Sequence, residues 1–291
     1  MFKKLHVVLL CALVCGCGNR ADTAAWVTDD LGDSIQVAPS ANRIISLAPS
    51  ITEVLFAIGA GSRVVGRTQW GDYPPEALDV ESVGDGLRPN VEAIAALDPD
   101  LVVFYRSTAN EHAVSQLGEL GIRSISLRMD ELQQVARVAR ILGRLTGDSI
   151  AADSIADSFE DALREASESA RTATSRCSVA IIAWDNPPMI IGGGSFLTEI
   201  LALAGSDNAF ADVAAPSAEV SIEAIAARNP DRILTLGIEG IPDYARRPEW
   251  RVIEAVRKGR FVPAIGSQFA RPTFRAVDAG LDLRAALGDC S

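Results

Sequence analysis

From residue 43 onward, short apolar runs alternate with longer stretches in which apolar residues recur every three or four positions. Runs of the first kind predict buried strands, and the periodic stretches predict amphipathic helices. The order opens with a strand at 43–47, a helix from Ser50 and a second strand at 63–67. Because strands and helices alternate, we predict an α/β protein with a parallel sheet and helices on both of its faces.

The first helix carries boundary signals of its own. Ser50 followed three residues later by Glu53 is the pattern of a capping box, and Gly59 predicts the end of the helix. Ahead of it, the alternating residues 26–28 and 35–37 flank a turn rich in Asp and Gly. This pattern predicts an N-terminal β-hairpin.

Residues 148–174 show a different pattern. Ile150, Ile155, Phe159 and Leu163 lie at helical spacing among polar residues and alanine, and neither Gly nor Pro interrupts the stretch. It predicts one long amphipathic helix of about seven turns. Strand and helix alternation resumes after it.

The second half of the chain repeats the first. Residues 52–59 resemble 198–205, and residues 90–100 resemble 221–231, in the same order. Two matches in one order predict two similar α/β lobes. We therefore divide the chain into an N-terminal lobe at 26–147, an interlobe helix at 148–175 and a C-terminal lobe at 176–291.

The N-terminal residues predict export. Two lysines precede an apolar run at 5–14 that is too short to span a membrane, as in a secretory signal. The following Val-Cys-Gly-Cys resembles the lipobox of bacterial lipoproteins. This resemblance implies a signal peptide at 1–16, a lipid on Cys17 and a tether at 17–25. An ordinary signal peptide with incidental cysteines is the alternative.

Charge and histidine content narrow the function classes. With 27 basic and 38 acidic residues the net charge is −11, which disfavours nucleic acid as a partner. The two histidines are His6, within the signal, and His112 in a polar helix start, which we expect to be a surface residue. They are too few for a multi-histidine metal site. The nucleophile elbow Gly-x-Ser-x-Gly is absent, so we predict no enzyme.

Aromatic residues are few, and several follow predicted strand ends. Trp70 and Tyr73 lie among Gly, Asp and Pro, Trp184 precedes Asp, Asn and Pro, and Phe269 follows the last strand. Ligands of open α/β sheets bind outside the carboxyl ends of the strands, so we interpret these aromatic side chains as ligand contacts. Packing in the core is the alternative.

Two glutamates and two cysteines complete the candidate set. Glu92 and Glu223 occupy equivalent places near the starts of two helices, where a carboxylate also favours the positive helix end. Once the signal is removed and Cys17 is acylated, Cys177 and Cys290 are left in an oxidising compartment. We predict a disulfide between them, and two separate thiols are the alternative.

As a set, these segments resemble the helical-backbone class of substrate-binding proteins of ABC importers, which carry vitamin B12, ferric siderophores and haem. The resemblance is carried by residues 43–53, 72–75, 91–94 and 99–102 and by their second-lobe counterparts. It implies two Rossmann-like lobes bridged by one long helix, with the ligand in the cleft between them. It also implies that Glu92 and Glu223 dock onto arginines of a permease dimer, which works with an ATPase.

Within that family, the members that bind vitamin B12 look most similar, and they imply cobalamin as the ligand. The resemblance suggests as ligand contacts Trp70, Tyr73, Arg106, Trp184, Phe269 and Arg271. Gly86 and Ser217 depart from it, because those members have tryptophans there. Four arginines would equally serve an anionic ferric siderophore, namely Arg88, Arg106, Arg271 and Arg275. Haem, a non-transport lipoprotein and a hydrolase are further alternatives, and no cofactor beyond the ligand is implied.

Overall fold

The chain begins with the predicted β-hairpin. In the computed structural model, which describes residues 25–37, 39–172 and 176–288, β1 (Trp26–Thr28) pairs antiparallel with β2 (Ser34–Gln36). One Asp29 carboxylate oxygen accepts from two backbone N–H groups of the turn. The other accepts from the Ser126 N–H at 3.0 Å, which ties the hairpin to the first lobe.

The first lobe has a four-stranded parallel sheet in the order β4-β3-β5-β6. Its strands are β3 (Ile44–Ser46), β4 (Val64–Arg67), β5 (Leu101–Tyr105) and β6 (Ser124–Leu127). Its helices are α1 (Pro49–Ala57), α2 (Val91–Ala96), α3 (Glu111–Glu119) and α4 (Leu132–Thr146). Alternate strand residues face opposite sides: Ile44 and Val103 pack in a cluster with α1 and α4, and Ile45 and Val102 in one with α2 and α3. The predicted parallel sheet with helices on both faces is confirmed for this lobe.

The start of α1 differs from the prediction. Ala48 is the N-cap and makes no side-chain cap, and the helix begins directly at Pro49, a residue suited to a first helical position. The predicted capping box of Ser50 and Glu53 is therefore wrong, because the Glu53 carboxylate binds two arginines of the second lobe instead. Gly59, with φ of +88°, follows the helix end as expected.

The long helix α5 (Ser149–Arg171) joins the lobes, as predicted. Its 23 residues span about 35 Å. It packs along α4, where Gly143 lies against Ala152, and its Phe159 ring meets Phe274 of the second lobe edge-on at 5.2 Å. Buried residues of α5 belong to one hydrophobic cluster that continues into both lobes.

The second lobe has a mixed sheet in the order β10-β8-β7-β11-β12, with β9 paired to β7. Its strands are β7 (Ser178–Asp185), β8 (Pro188–Ile191), β9 (Asp207–Asn208), β10 (Ser217–Glu219), β11 (Arg232–Leu236) and β12 (Phe261–Ala264). Its helices are α6 (Phe196–Leu203), α7 (Ile222–Arg228), α8 (Glu254–Arg257) and α9 (Ala276–Leu287). β8 runs antiparallel to β7 and β10, whereas β11 pairs parallel with β7 and β12, so this sheet is mixed.

Short 3₁₀ turns connect several of these elements. They lie at Gly61–Arg63, Pro75–Asp79, Thr108–Asn110, Asp243–Arg246, Pro248–Val252 and Ser267–Phe269. In the part of the chain that the structure describes, every helix is too short or too polar to cross a membrane.

Candidate ligand-binding site

A cavity of about 550 Å³ lies between the two lobes. Residues that follow β3, β4, β5 and β6 line it from the first lobe, and the start of α6 and the segment before α9 line it from the second. The wall consists of residues 47–50, 85–87, 194–196 and 270–272, together with Trp70, Tyr105, Ser107, Ala109, Asn110, Met129, Asp130 and Pro216. Its position at the carboxyl ends of parallel strands is where open α/β sheets bind ligands.

Apolar side chains give the wall most of its surface. Trp70 is 58% exposed and Leu87 is 73% exposed, so both large apolar side chains are accessible to a ligand in the cavity. Met129 and Phe196 line the same cavity from the first and second lobes. The wall therefore suits a ligand with a broad apolar face.

Polar groups on the first-lobe side are fixed by hydrogen bonds. The Tyr105 hydroxyl donates to Asp130 at 2.7 Å, and Arg128 donates to the same carboxylate at 2.6 Å. Burial, and then the bond to Asp130, raises the pKa of Tyr105 to about 12, so its hydroxyl stays neutral. The backbone N–H groups of Arg88 and Leu87 lower the pKa of Asp85, so this carboxylate is ionised.

An ion cluster, formed by Glu53, Asp72, Arg271 and Arg275, joins the lobes beside the cavity. Glu53, on α1, is 5% exposed and accepts from Arg271 Nε at 2.6 Å and from Arg275 Nη2 at 2.6 Å. Asp72 accepts from Arg271 Nη2. The Arg275 guanidinium also lies 3.9 Å from the centre of the Tyr73 ring, a cation–π contact.

The structure brings some of the predicted ligand contacts together and separates others. Trp70 and Arg271 line the cavity. Tyr73 lies against Arg275 in the ion cluster, and Phe269 is 7% exposed in the core, next to the lining residue Ala270. The remaining two, Trp184 and Arg106, are exposed at the ends of β7 and β5, outside the described cavity wall. None of these positions by itself tests ligand contact.

Sequence reasoning missed several wall residues. Phe196 and Ser195 come from the Gly-rich turn at 192–194, which the structure shows to be a tight strand-to-helix turn with Ser195 as N-cap of α6. Asn110 is buried in the wall, and its Nδ2 donates to the Tyr105 carbonyl at 3.0 Å. For Asn110 the available signal is position, since it lies in the loop after β5 as Trp70 lies in the loop after β4.

Gly86 has a backbone reason to be glycine. Its φ is +77°, and a Cβ there would lie 2.6 Å from the Leu47 carbonyl oxygen and 2.7 Å from Thr68 Cγ2. A tryptophan therefore does not fit this loop as it stands. The conformation of the loop therefore requires glycine at position 86, where the vitamin B12-binding members have tryptophan. Ser217, the other position that differs from those members, is exposed at the start of β10.

The two predicted docking glutamates have matching surroundings. Asn90 and Ser221 cap α2 and α7, accepting from the backbone N–H groups of Ala93 and Ala224, the residues directly after Glu92 and Glu223. Both glutamates are exposed, and within residues 25–37, 39–172 and 176–288 no ion pair engages them. The predicted N-caps are confirmed, and both carboxylates stand free for a partner.

Three other predictions concern residues outside this cavity. His112 is exposed, as predicted. Cys177 is buried and disulfide-bonded, but Cys290 and Cys17 lie outside the described residues, so the pairing and the lipidation stay predictions. Among the described residues no group of acidic, His or Cys side chains is placed to hold a metal ion.

A second, larger cavity of about 690 Å³ lies among α4, α5 and α6. Its wall is made of helix sides rather than strand ends, and it includes Glu199, whose pKa is raised by burial. Glu199 accepts from the Leu132 N–H at the start of α4, 3.3 Å away. The smaller cavity is the candidate ligand site, because both lobes meet there at their strand ends.

Comparison with known proteins agrees with this geometry. Residues 44–264 match the family described as periplasmic binding protein. The chain is 30% identical over 272 residues to the ABC transporter substrate-binding lipoprotein YvrC of Bacillus subtilis, covering 87% of this chain and 86% of that one. It is 36% identical over 203 residues to the vitamin B12-binding protein of Salmonella typhimurium, covering 69% and 74%.

Solved structures share the two-lobed fold. The vitamin B12-binding protein BtuF of Vibrio cholerae superposes with a TM-score of 0.71 at 26% identity, over 85% of this chain and 96% of that one. The haem-binding protein RhuT of Roseiflexus sp. RS-1 superposes with a TM-score of 0.77 at 24% identity, over 86% and 99%. The likeness to RhuT concerns the fold alone.

The matched family region covers most of the chain, and these relatives are transport components rather than enzymes. The family works outside the cytoplasm, together with a permease and an ATPase. This chain belongs to the periplasmic binding protein family and is the extracytoplasmic substrate-binding protein of an ABC importer.

Proposed function

We propose that the protein captures cobalamin in the cavity between its lobes and delivers it to the importer. The observation that carries the proposal is the apolar cavity at the strand ends of both lobes, with Trp70 exposed in its wall. The relatives named vitamin B12-binding protein support the choice of ligand. Haem and ferric siderophores are the competing ligands.

Cobalamin is larger than the cavity, so its outer part would lie against exposed side chains beyond the wall. Trp184 is 61% exposed at the end of β7, and its ring N–H already donates to the Asn186 carbonyl at 2.9 Å. The ring is thereby oriented as a flat apolar surface. In this proposal Trp70 and Trp184 pack on the corrin from the two lobes, Arg106 and Tyr73 lie at its edge, and Phe269 supports Ala270 and Arg271 from behind.

Glu92 and Glu223 are proposed to dock the protein onto the permease, one from each lobe. Both are exposed, both follow a capped helix start, and neither is engaged by an ion pair within the described residues. A permease of paired subunits would meet equivalent carboxylates, and arginine binds carboxylates with two parallel hydrogen bonds. Docking would then fix orientation as well as attachment.

Cys17 is proposed to carry a lipid that anchors the protein, with residues 17–25 as tether. The proposal rests on the lipobox-like sequence, and the similarity to a substrate-binding lipoprotein supports it. Replacing Cys17 with Ser should move the protein from the membrane fraction to the soluble fraction. If the C17S protein stayed with membranes, the lipid anchor would be wrong.

Uptake of radiolabelled cyanocobalamin by intact cells tests the proposed function as a whole. Deleting the gene should abolish uptake at limiting ligand, and the wild-type gene on a plasmid should restore it. Loss of ferric siderophore or haem uptake in the deletion strain, with cobalamin uptake unchanged, would contradict the ligand and retain the transport class.

A further inference from the structure

We infer that the cavity selects uncharged ligands over ligands of the same shape that bear a carboxylate, and that Glu53 sets this selectivity by neutralising Arg271. The inference rests on the proposed role of the cavity as the ligand site, and it concerns which chemical class that site accepts. Glu53 is then a positioning residue: it does not touch the ligand but holds and neutralises Arg271.

Arg271 is the cationic side chain of the cavity wall, and its three nitrogens are already engaged. Nε donates to Glu53 at 2.6 Å, Nη1 donates to the Trp70 carbonyl at 3.2 Å, and Nη2 donates to Asp72. Three of the five N–H groups of this guanidinium are thus used, and its charge is neutralised by Glu53 and Asp72, so it exerts little attraction on a ligand carboxylate. Arg271 therefore stabilises the interlobe contact rather than an anionic ligand.

Arg275 is engaged in the same way. Its Nε and Nη2 donate to the two oxygens of Glu53 at 2.9 and 2.6 Å, and Nη1 donates to Gln268 at 3.2 Å. The two arginines and the two carboxylates of the ion cluster balance in charge. Removing a partner from a buried pair leaves an uncompensated charge, so the cluster resists rearrangement around a new anion.

The rest of the wall offers carboxylates. Asp85 and Asp130 both line the cavity. Asp130 is paired with Arg128, and Asp85 accepts from the backbone N–H groups of Leu87 and Arg88, with the Arg88 charge nearby. The two other arginines near this end of the first lobe, Arg88 and Arg106, are exposed and outside the wall.

Acceptor oxygens therefore face the ligand within the wall, while the positive charge of the wall residue Arg271 is neutralised by Glu53 and Asp72. Such a wall suits a ligand whose edge carries neutral hydrogen-bond donors, such as primary amides, and repels one whose edge carries carboxylates. Of the ligands considered, cobalamin has amide side chains, whereas haem and many ferric siderophores are anionic. The ion cluster thus decides against the anionic class.

Matched ligand pairs test this directly. Cyanocobalamin is compared with a monocarboxylic acid made by hydrolysing one of its amides, and haem is compared with its dimethyl ester. Calorimetric titration of the wild-type protein should give tighter binding of the uncharged member of each pair that binds. One unit charge near the wall should change this preference by about tenfold.

Glu53→Gln removes one negative charge from the ion cluster and keeps the side-chain shape. The preference for the uncharged member should fall by about tenfold. Asp72→Asn, at a more exposed residue of the same cluster, should shift it in the same direction and by less, and serves if Glu53→Gln fails to fold. Asp212→Asn makes the same charge change at an exposed pair with Arg228, outside the cavity, and should leave the preference unchanged.

Three outcomes would overturn the inference. The first is wild-type protein that binds the carboxylate member as tightly as the uncharged one. The second is a preference that Glu53→Gln and Asp72→Asn leave as it was. The third is binding of neither pair, which would contradict the proposed ligand class as well. If cobalamin binds, the first two outcomes contradict this inference and leave the proposed function standing. Failure of the inference can therefore be distinguished from failure of the proposed function.

Discussion

The surroundings of a carboxylate decide its role at the residue scale, as Glu53 and Glu92 show. Glu53 is 5% exposed and holds two guanidiniums of the other lobe, so its charge is compensated inside the protein. Glu92 is exposed at the start of a short helix, without an ion pair in the described part of the chain. The first can order the cleft, and the second can meet a partner.

Docking through Glu92 and Glu223 is a residue-scale prediction. Glu92→Ala and Glu223→Ala should each weaken the complex with the permease, by about 2–5 kcal/mol if the pair is buried on docking. The double change should weaken it further. Transport in vesicles and complex formation in detergent measure the effect, and ligand affinity of the isolated protein should not change because neither residue lines the cavity.

Glu111 supplies a matched control for this prediction. It is an exposed glutamate in the first turn of α3, outside the repeated motif. Glu111→Ala should leave transport unchanged. The docking role is wrong if both docking variants transport at the wild-type rate, or if they lose ligand binding itself.

At the scale of elements, α4 and α5 pack closely at Gly143, a position where the neighbouring helix leaves no room for a larger residue. A Cβ on Gly143 would lie 2.3 Å from the Ala152 Cβ and 3.3 Å from the Asp148 carbonyl oxygen. The two helices approach closely because neither residue has a larger side chain. This contact holds the interlobe helix against the first lobe.

Gly143→Ala should therefore destabilise the protein. Overpacking a tight contact costs about 1–3 kcal/mol, more than the roughly 1 kcal/mol that alanine gains over glycine in a helix. Gly118→Ala in α3 is the control, because a Cβ there meets nothing within 4 Å and should be neutral or stabilising. Denaturant unfolding compares the two variants, and a Gly143→Ala protein as stable as the wild type would contradict the close packing.

Apolar patterning predicted the elements that are buried. The strand at β5 (Leu101–Tyr105) and the helix α5 (Ser149–Arg171) were predictable because burial demands apolar residues at fixed periods. The strands β8, β9 and β10 were missed. They are two to four residues long and lie at or beside the sheet edge, where a strand can keep one face polar and so shows no continuous apolar run.

The site was only half predictable for a related reason. Trp70 was found because loop-forming residues flank it, whereas the role of Glu53 depends on arginines more than 200 residues away in the chain. A local capping pattern and a distant ion pair compete for the same carboxylate, and sequence alone shows only the local one. Phe269 ends a 3₁₀ turn and Ala270 follows it. This shift of one position along the chain decides that Ala270, and not Phe269, lines the cavity.

On the scale of the whole molecule, both apolar and ionic contacts join the lobes. One hydrophobic cluster runs from the first lobe through α5 into the second, and the ion cluster of Glu53, Asp72, Arg271 and Arg275 joins them beside the cavity. A continuous helix resists bending more than the loop hinges that permit wide domain closure. The molecule should therefore change shape little when the ligand binds.

Small-angle scattering of the free and ligand-bound protein measures that change. The radius of gyration, about 19 Å for a folded chain of this size, should shrink only slightly. Compaction as large as that of a binding protein with loop hinges would contradict the role assigned to α5 and to the ion cluster.

The cavity between the lobes is proposed to bind cobalamin. Calorimetric titration of the purified mature protein with cyanocobalamin, haem and a ferric siderophore tests that proposal. One cyanocobalamin should bind per chain with a dissociation constant of about 1 µM or tighter, and the affinity should be weaker in Trp70→Ala because that side chain lines the cavity. No binding of cyanocobalamin at micromolar concentration, alongside tight binding of the siderophore or of haem, would contradict it.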